Sequence, residues 1–461
     1  MAAVLDWLIK FTSPITKPKV LRTAPRGQER DGLFTIAEIA EHNQPSDAWI
    51  IIDDGVYDVS AWGEKHPGGD VVYSYAGTDA TDAFHALHKG RPAQLMMRGL
   101  KVGTVSDSTG AAELTPIVRD FRRLRVELET EGLMDASGLF YARKMLELVL
   151  LLGAGMFLLV AHGRGSVLAR CLSIVCMSNF FHQCGWTTHD FLHNQVFAKR
   201  SHNTLVGGVV MNLFMGGSVH WWKTKHNQHH ATPNRITEGE HAPVDPDIDT
   251  IPLIAWSQQL LNNVEGPQRM LISIQHILLW PLMGLAYLQW QQQSIVHLLA
   301  FPAVPGAQRR AELAAMALHH LLLCGAIFST LPLPQGAAYW LAIHAASGFM
   351  TSFVFVQSHN GMEVYSEAKD FASAQLVSTR NIDPSPLVDW WCGGLNYQIE
   401  HHLFPMMPRH SFKAVRSKVM KLCKDHSLPY ETIPLRESTA KVYNCLAELA
   451  AQCKATPPKR A

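Results

Sequence analysis

Apolar residues along this chain are concentrated in a few long runs that are separated by polar segments. Four of these runs, at 146–161, 167–186, 311–333 and 337–356, approach the roughly 20 residues that a helix needs to cross a bilayer. A short turn joins the first run to the second, and another joins the third to the fourth. The pattern therefore predicts two membrane hairpins built from four transmembrane helices.

The amino-terminal part of the chain has a different pattern. Residues 1–30 are basic and contain prolines, and we interpret them as a flexible lead. A capping box formed by Thr35 and Glu38 predicts a short helix, and two β-rich runs joined at Asp54 and Gly55 predict a hairpin over 49–59. A second helix is predicted at 79–88. These elements indicate a small α+β domain.

The His-Pro-Gly-Gly turn at 66–69 leaves the imidazole of His66 projecting into open space. Either His85 or His88, on the helix predicted at 79–88, is able to reach the same space from the opposite side. Two axial histidines on one heme iron give a saturated centre that transfers electrons without binding oxygen. The residues therefore favour a heme site, in which the second ligand stays open between His85 and His88.

Residues 107–144 form a predicted linker between this domain and the apolar runs. The linker contains a charged amphipathic helix, predicted at 115–132. We expect this helix to be a solvated arm or to lie in the membrane interface.

Composition excludes several classes of protein. Lys and Arg total 40 and Asp and Glu total 39, so no excess charge indicates a nucleic acid partner. The 8 cysteines form no Cys-x-x-Cys pair, which argues against a zinc ribbon or a disulfide framework and fits a reducing, cytosol-facing setting. The first residues lack the pattern of a secretory signal, so we expect internal segments to insert the chain into the membrane.

Three clusters of histidines stand at helical spacing, where residues three and four apart share a face. They comprise His189 and His193, then His226, His229 and His230, and finally Gln398, His401 and His402. One such cluster is easily accidental, but three clusters in a chain with 24 histidines predict a metal site. On this interpretation each cluster presents one helical face to the metal.

If the clusters build one site, the chain between them crosses the membrane an even number of times. The apolar run at 204–219 lies alone between the first two clusters, so we expect it to lie in the interface. The run at 271–305, broken by Pro281 and by a polar glutamine run, is expected to be peripheral, although a further hairpin there is permitted. Basic residues are concentrated on the cluster side, which predicts that the clusters and both termini are cytosolic.

Neutral imidazole suits iron, zinc and copper, and the histidines of the three clusters exceed what one four-coordinate zinc uses. Two metals are therefore implied. A zinc protease would carry a His-Glu-x-x-His string, and this chain has none. Two irons that are open to oxygen and lie beside a heme electron donor make a coherent oxygen-activating centre.

Several motifs resemble known families. Trp49, the run at 56–59, the turn at 66–69 and the Asp-Ala-Thr-Asp at 79–82 resemble the cytochrome b5 domain. Five further motifs resemble the membrane front-end fatty acid desaturases with a fused cytochrome b5 domain. They are CGWTTHDFLHNQVF at 184–197, WWKTKHNQHHATPN at 221–234, DPDIDT at 245–250, SHNGMEV at 358–364 and GGLNYQIEHHLFP at 393–405.

The resemblance implies a multi-domain fold. A flexible lead at 1–30 precedes a small α+β cytochrome b5-like heme domain at 31–106. After the linker at 107–144 comes an all-α integral membrane desaturase domain at 145–461, with about four transmembrane helices and a cytosolic, His-rich di-iron cap.

The resemblance also implies the cofactors and their ligands. It assigns His66 and His88, rather than His85, to heme b. Two non-heme Fe ions are implied, with no catalytic residue beyond their ligands. The implied iron ligands are His189, His193, His226, His229, His230, His359, Gln398, His401 and His402. Gln398 replaces the histidine that many other membrane desaturases have at this place.

The implied activity is that of an oxygen-dependent acyl-lipid desaturase. Such an enzyme uses O2 and electrons from its own heme domain to insert a cis double bond between the carboxyl end and an existing double bond of a polyunsaturated acyl chain. Delta-6 is the first choice of position and delta-5 the next. The implied partners are an acyl lipid or acyl-CoA, membrane lipids and NADH-cytochrome b5 reductase, and the implied location is the endoplasmic reticulum.

Two alternatives stay open. A sphingolipid long-chain-base delta-8 desaturase shares the same fused layout. A heme-containing membrane electron carrier, whose histidine clusters merely store or transport metal, is the alternative that is not an enzyme.

Overall fold

The structure is a computed structural model, and it describes residues 32–60, 62–63, 66, 69–88, 96–106, 114–239, 243–262, 264, 266–301 and 304–455. The predicted lead at 1–30 lies outside the described residues. So do residues 107–113 of the predicted linker, and Pro67 and Gly68 of the predicted turn.

The amino-terminal domain is a five-stranded sheet with short helices packed on it. Its strands are β1 (Gly32–Phe34), β2 (Asn43–Gln44), β3 (Asp47–Ile52), β4 (Gly55–Asp58) and β5 (Lys101–Val105). Its helices are α1 (Ile36–Glu41), α2 (Thr81–Leu87) and two 3-10 helices (Gly69–Tyr75 and Arg98–Leu100). The strand order is β1-β5-β4-β3-β2, in which the β1–β5 pair is parallel and the other pairs are antiparallel.

Local sequence signals account for this domain. The predicted capping box is confirmed, because the Thr35 side chain accepts from the Glu38 amide and the Glu38 carboxylate accepts from the Thr35 amide. The predicted hairpin is also confirmed: β3 and β4 pair antiparallel, with Ile50 opposite Tyr57. Asp53 takes the left-handed conformation, with φ 54, that the tight turn requires.

The rest of the chain is almost entirely helical. Its helices are α3 (Pro116–Thr130), α4 (Gly138–Phe157), α5 (Val167–Leu192), α6 (Arg200–Gly208), α7 (Val219–Ala231), α8 (Gln258–Leu261), α9 (Gln268–Ile272), α10 (Gln275–Ala300), α11 (Gly306–Thr330), α12 (Leu333–Ser358), α13 (Phe371–Val377), α14 (Pro386–Trp391), α15 (Gln398–Leu403), α16 (Phe412–Asp425) and α17 (Leu435–Ala455). Turns of π-helix continue α4 (Leu158–His162) and α6 (Val209–Phe214), and a 3-10 turn (Arg409–Ser411) precedes α16. A two-stranded parallel sheet joins β6 (Asn381–Ile382) to β7 (Thr432–Ile433).

The four predicted membrane spans coincide with α4, α5, α11 and α12. Among the described residues, three helices are long and apolar enough to cross a membrane: Gly138–His162, Gly306–Thr330 and Leu333–His359. Helix α5 is long enough, but its second half carries buried polar residues that lower its hydropathy. The total number of spans therefore stays a prediction.

The prediction that Pro281 breaks the run at 271–305 is wrong. Helix α10 is continuous over its 26 residues, and Pro281 lies within it. It packs closely along α12, where Gly348 has no side chain and an added Cβ would lie 3.0 Å from the Met283 carbonyl oxygen. Packing along the whole helix therefore outweighs the cost of the backbone hydrogen bond that is lost at the proline.

The prediction that the linker helix is a solvated arm or an interfacial helix is also wrong. Phe121, Leu124 and Leu128 of α3 are buried in one core with residues of α2, α13, α15 and α16. Next to this core, Arg122 binds the carboxylates of Asp79 and Asp82 at 3.0 Å each. Helix α3 thus ties the amino-terminal domain to the helical domain.

Candidate metal centre and heme pocket

Eight histidines lie in two adjacent groups, and within each group the candidate ligand atoms are all within 4.8 Å of one another. The first histidine group contains His189, His193, His226, His230 and His401. The second histidine group contains His229, His359 and His402. The structure thus brings together all of the histidines that the sequence singled out for iron.

Helix α5 contributes two histidines, which lie at its carboxyl end after the apolar part of the helix. His189 and His193 lie one turn apart at its carboxyl end, with ring centroids 4.4 Å apart. Both side chains are buried, and Trp222 covers them with its ring centroid 5.8 Å and 5.4 Å away. The helix end therefore delivers two imidazoles into a water-poor space.

Helix α7 runs between the two groups. His226 and His230, four residues apart, face the first group, whereas His229 faces the second. The rings of His230 and His402 stack across the boundary, with centroids 4.3 Å apart. One helix therefore sets the spacing between the two groups.

Helix α15 is divided in the same way, which corrects the expectation that each cluster presents one face to the metal. His401 joins the first group and His402 joins the second. Successive helical residues point about 100° apart, so neighbouring histidines diverge. The Gln398 amide nitrogen lies 3.1 Å from Nε2 of His359, so the Gln398 side chain borders the second group.

The first group fits a metal ion better than it fits hydrogen bonding among its own rings. Nε2 of His230 lies 3.1 Å from Nε2 of both His226 and His401. Nε2 of His189 and His193 is buried with no hydrogen-bond partner in the described part of the chain. Burial, followed by neighbouring imidazoles, holds the pKa of His226, His230 and His401 well below its usual range. The group therefore presents neutral nitrogens, as metal ligation requires.

A buried carboxylate orients His229. Nδ1 of His229 donates to Asp245 at 3.0 Å, and Asp245 itself accepts from the backbone amides of Asn234 at 2.7 Å and Asp247 at 2.9 Å. Burial opposes protonation of His229, but Asp245 and Asp247 outweigh it and raise its pKa to about 9. With Nδ1 held by Asp245, Nε2 is directed to the second group, as in carboxylate–histidine–metal triads.

The other two histidines of the second group are oriented by neutral acceptors. Nδ1 of His359 donates to the Ser378 carbonyl at 3.0 Å, and Nδ1 of His402 donates to Oε1 of Gln375 at 2.8 Å. The amide nitrogen of Gln375 donates in turn to the His230 carbonyl at 3.0 Å. Gln375 therefore connects the two groups. It was not predicted, because it belongs to no histidine motif.

Two carboxylates that adjoin cluster histidines in the sequence form no hydrogen bond with those histidines in the described part of the chain. Asp190 pairs with Arg409 at 2.8 Å and lies 3.8 Å from Nδ1 of His189, beyond hydrogen-bond distance. Glu400 accepts from Tyr430 and Asn381 rather than from a cluster histidine. Each of these carboxylates anchors a neighbouring element.

Three histidines that lie near the clusters in the sequence also have other partners. His182 bonds the Thr351 hydroxyl and the Trp391 carbonyl, and His220 bonds His297. The ring of His202 contacts Phe197. Sequence proximity to a cluster therefore did not indicate contact with it.

The heme domain contains an apolar cavity between His66 and His88, whose ring centroids are 5.9 Å apart. About 1130 Å³ of space lies within this cavity, its open mouth included. Nδ1 of His66 donates to the Gly69 carbonyl at 3.3 Å, and Nδ1 of His88 donates to the Phe84 carbonyl at 3.0 Å. Both imidazoles line the cavity, and burial lowers the pKa of both histidines to about 4.

His85, the alternative to His88, is directed elsewhere. Its Nε2 lies 2.9 Å from the Asp53 carboxylate on the far side of α2. The geometry therefore favours His88 as the partner of His66, and the apolar lining and opposed imidazoles fit a heme.

Residues 166–434 match the model of the fatty acid desaturase family, and residues 35–106 match the cytochrome b5-like heme/steroid binding domain. An acyl-lipid (9-3)-desaturase of Physcomitrium patens is 38% identical over 440 residues, which cover 95% of this chain and 81% of the relative.

Two further relatives match over most of their length. A Delta(8)-fatty-acid desaturase of Euglena gracilis is 32% identical, with 86% of this chain and 94% of the relative covered. A Delta(5) fatty acid desaturase of Caenorhabditis elegans is 30% identical, with 83% of this chain and 89% of the relative covered.

Proposed function

This chain belongs to the fatty acid desaturase family and carries a cytochrome b5 domain at its amino-terminal end, and we propose that it desaturates polyunsaturated acyl chains at delta-6. The family resemblance is confirmed, and with it a membrane-bound front-end desaturase that uses heme and two non-heme irons. Delta-5 is the next choice of position. The new cis double bond would form between the carboxyl end and an existing double bond.

One observation carries the proposed oxygen-dependent desaturation: the two histidine groups lie side by side and share α7, which also borders the heme cavity. The choice of delta-6 rests on the motifs at 184–197 and 393–405, which resemble that subgroup. We assign the heme to His66 and His88. The first iron is assigned to the five histidines of the first group. The second is assigned to His229, His359 and His402, with Gln398 as a weak neutral donor or as the holder of a water.

When bound, the two irons supply the O2 chemistry that removes two hydrogens from neighbouring carbons of an unactivated acyl chain. The balanced reaction takes one O2, two electrons and two protons and yields one double bond and two waters. The residues of the chain orient and shield this chemistry. Asp245 and Gln375 fix the ring directions of His229 and His402, and the complete burial of His401 and His402 keeps bulk water away.

We place NADH-cytochrome b5 reductase upstream as the electron source, because the heme domain accepts one electron at a time. The substrate would be an acyl lipid or acyl-CoA. The endoplasmic reticulum is the proposed location, with the metal centre and both termini in the cytosol. The basic residues on the cluster side of the apolar helices support this orientation.

Expression in a host without polyunsaturated fatty acids tests the proposal. Linoleate, α-linolenate and dihomo-γ-linolenate would be fed separately, and new double bonds located by mass spectrometry. We expect delta-6 products from linoleate and α-linolenate only. A product from dihomo-γ-linolenate alone would show delta-5 activity instead.

Two further results would favour the alternatives: one concerns the class of lipid substrate, and the other concerns whether the protein is an enzyme. No product from any fed acid, with a new double bond in long-chain bases, would identify the sphingolipid delta-8 alternative. His226→Ala, which removes one ligand of the first group, should abolish the product. If electron transfer through the heme survived that change and no double bond formed in the unsubstituted protein either, the electron-carrier alternative would be favoured.

A further inference from the structure

The heme cavity has a wall that does not come from the heme domain. Arg200 of α6, and Asn227 and Ala231 of α7, line the cavity together with His66 and His88. The helical domain therefore reaches the space between the two heme ligands. A heme placed there would contact both domains.

Specific hydrogen bonds hold the two domains together at this wall. The Tyr75 hydroxyl donates to the Ala231 carbonyl at 2.8 Å. The Gln228 side chain donates to the Ser74 hydroxyl at 3.1 Å, and Arg235 donates to the Ser74 carbonyl at 3.0 Å. The 3-10 helix Gly69–Tyr75 is thus fastened to α7, next to the cavity.

The apolar core is also shared between the domains. Ala83 and Ala86 of α2 are buried in the same cluster as Phe121 of α3 and Phe371 of α13. Interfaces that continue a core in this way are rigid compared with polar contacts between domains. The shared core therefore holds the cavity wall in a fixed position relative to the heme domain.

Arg200 supplies a positive charge at the mouth of the cavity. Its side chain lines the same cavity as His66 and His88. Within the described ranges no carboxylate forms an ion pair with Arg200. A heme carries two propionate carboxylates, and arginine is the side chain best suited to bind carboxylates.

The register of α7 links this wall to the iron ligands. Asn227 directly follows His226, and Ala231 directly follows His230. Residues that line the heme cavity are therefore covalent neighbours of residues in the first histidine group. The same segment of α7 therefore borders the heme cavity and the first histidine group.

We propose that the desaturase domain completes the heme pocket: Arg200 binds a heme propionate, and the Asn227–Ala231 turn of α7 carries electrons from heme to the first histidine group. This inference rests on the proposed function for the direction of electron flow. The completed pocket itself does not depend on the substrate. Arg200 is accordingly a positioning residue that also sets the heme potential.

The heme midpoint potential of the full-length protein in detergent tests the proposal. Oxidised heme carries one more positive charge than reduced heme, so a nearby cation favours reduction. Arg200→Gln should therefore lower the midpoint potential, and Arg200→Lys should restore most of it. Asn227→Asp, which adds a negative charge to the wall with little change of shape, should lower it independently. Lys199→Gln removes an adjacent exposed charge outside the cavity and should leave the potential unchanged.

The outcomes separate this inference from the proposed function. Potentials equal to the unsubstituted protein in both Arg200→Gln and Asn227→Asp would overturn the shared pocket. If the potentials shift but no fed acid acquires a double bond, the proposed function fails and the shared pocket stands. His226→Ala, which alters the first histidine group, should slow the reoxidation of reduced heme by O2 and substrate, and an unchanged rate would refute electron transfer to that group.

Discussion

Asp245 shows how a single buried residue determines the direction of a ligand. Its carboxylate holds Nδ1 of His229 and is itself held by two backbone amides. Asp245→Asn should weaken iron binding at the second histidine group about 10- to 100-fold, since supporting partners of metal ligands have effects of this size. Non-heme iron per chain, measured across a chelator series, would show the change.

Asp249→Asn is the matched control for this variant. Asp249 lies in the same loop, but His229 contacts Asp245 and Asp247. The control should keep its non-heme iron, and both variants should keep their heme. Equal iron retention in Asp245→Asn and the unsubstituted protein would show that His229 needs no orientation.

The two candidate heme ligands on α2 can be separated directly. His88→Ala should abolish heme absorbance because it removes the imidazole opposite His66. His85→Ala should retain heme, since His85 pairs with Asp53. Absorbance spectra of the purified proteins measure both. Heme loss only in His85→Ala would reverse the assignment.

Gln398 tests how donor strength at the second group affects the reaction. An imidazole binds iron more strongly than an amide, so Gln398→His should slow the loss of non-heme iron to a chelator and change the rate or position of desaturation. Gln398→Asn keeps the amide but shortens its reach, and it serves as the comparison. Unchanged iron retention, activity and product in Gln398→His would show that this position does not matter.

Among individual residues, the sequence identified the cluster histidines better than it identified the residues that orient them. The cluster histidines share a spacing that is visible in the chain, whereas Gln375 and Asp245 act through contacts that only the fold creates. Asp245 was one of three alternating carboxylates, and nothing in the sequence distinguished it from Asp249. Gln375 contacts His402 from a separate helix.

Helix α3 is the element whose role changed most between sequence and structure. Its apolar face packs in a protein core, and Phe121 stacks on Phe404 with centroids 5.5 Å apart. Phe121→Ala should destabilise the protein by about 3–5 kcal/mol, as large-to-small changes in cores do. A lower temperature of thermal unfolding in detergent would report the loss.

Val126 offers the control on the same helix. Its side chain is 57% exposed, so Val126→Ala should leave the unfolding temperature nearly unchanged. If Phe121→Ala were equally harmless, α3 would be the solvated arm that its sequence suggested. An amphipathic helix has the same periodicity whether its apolar face meets lipid or protein, which explains why the sequence misassigned it.

The histidine helices show a similar limit. The histidines that spacing singled out on α5, α7 and α15 lie together in two groups, because helical periodicity is local. It did not predict that α7 and α15 would each serve two groups, because that depends on which surfaces surround the helix.

For the whole molecule, the sequence predicted the two parts and their cofactors, since each part has its own motifs. It did not predict that the heme cavity would include Arg200, Asn227 and Ala231. This wall arises from docking between segments that are far apart in the chain. Each motif identifies one domain, and motifs do not indicate which surfaces of the two domains are in contact.

The ratio of total iron to heme in the purified full-length protein tests the central claim most directly. Two histidine groups beside one heme cavity predict three iron atoms for each heme, two non-heme and one heme iron. His226→Ala, which alters the first group, should lower this ratio without loss of heme. A ratio of one in protein that still forms double bonds would contradict the account.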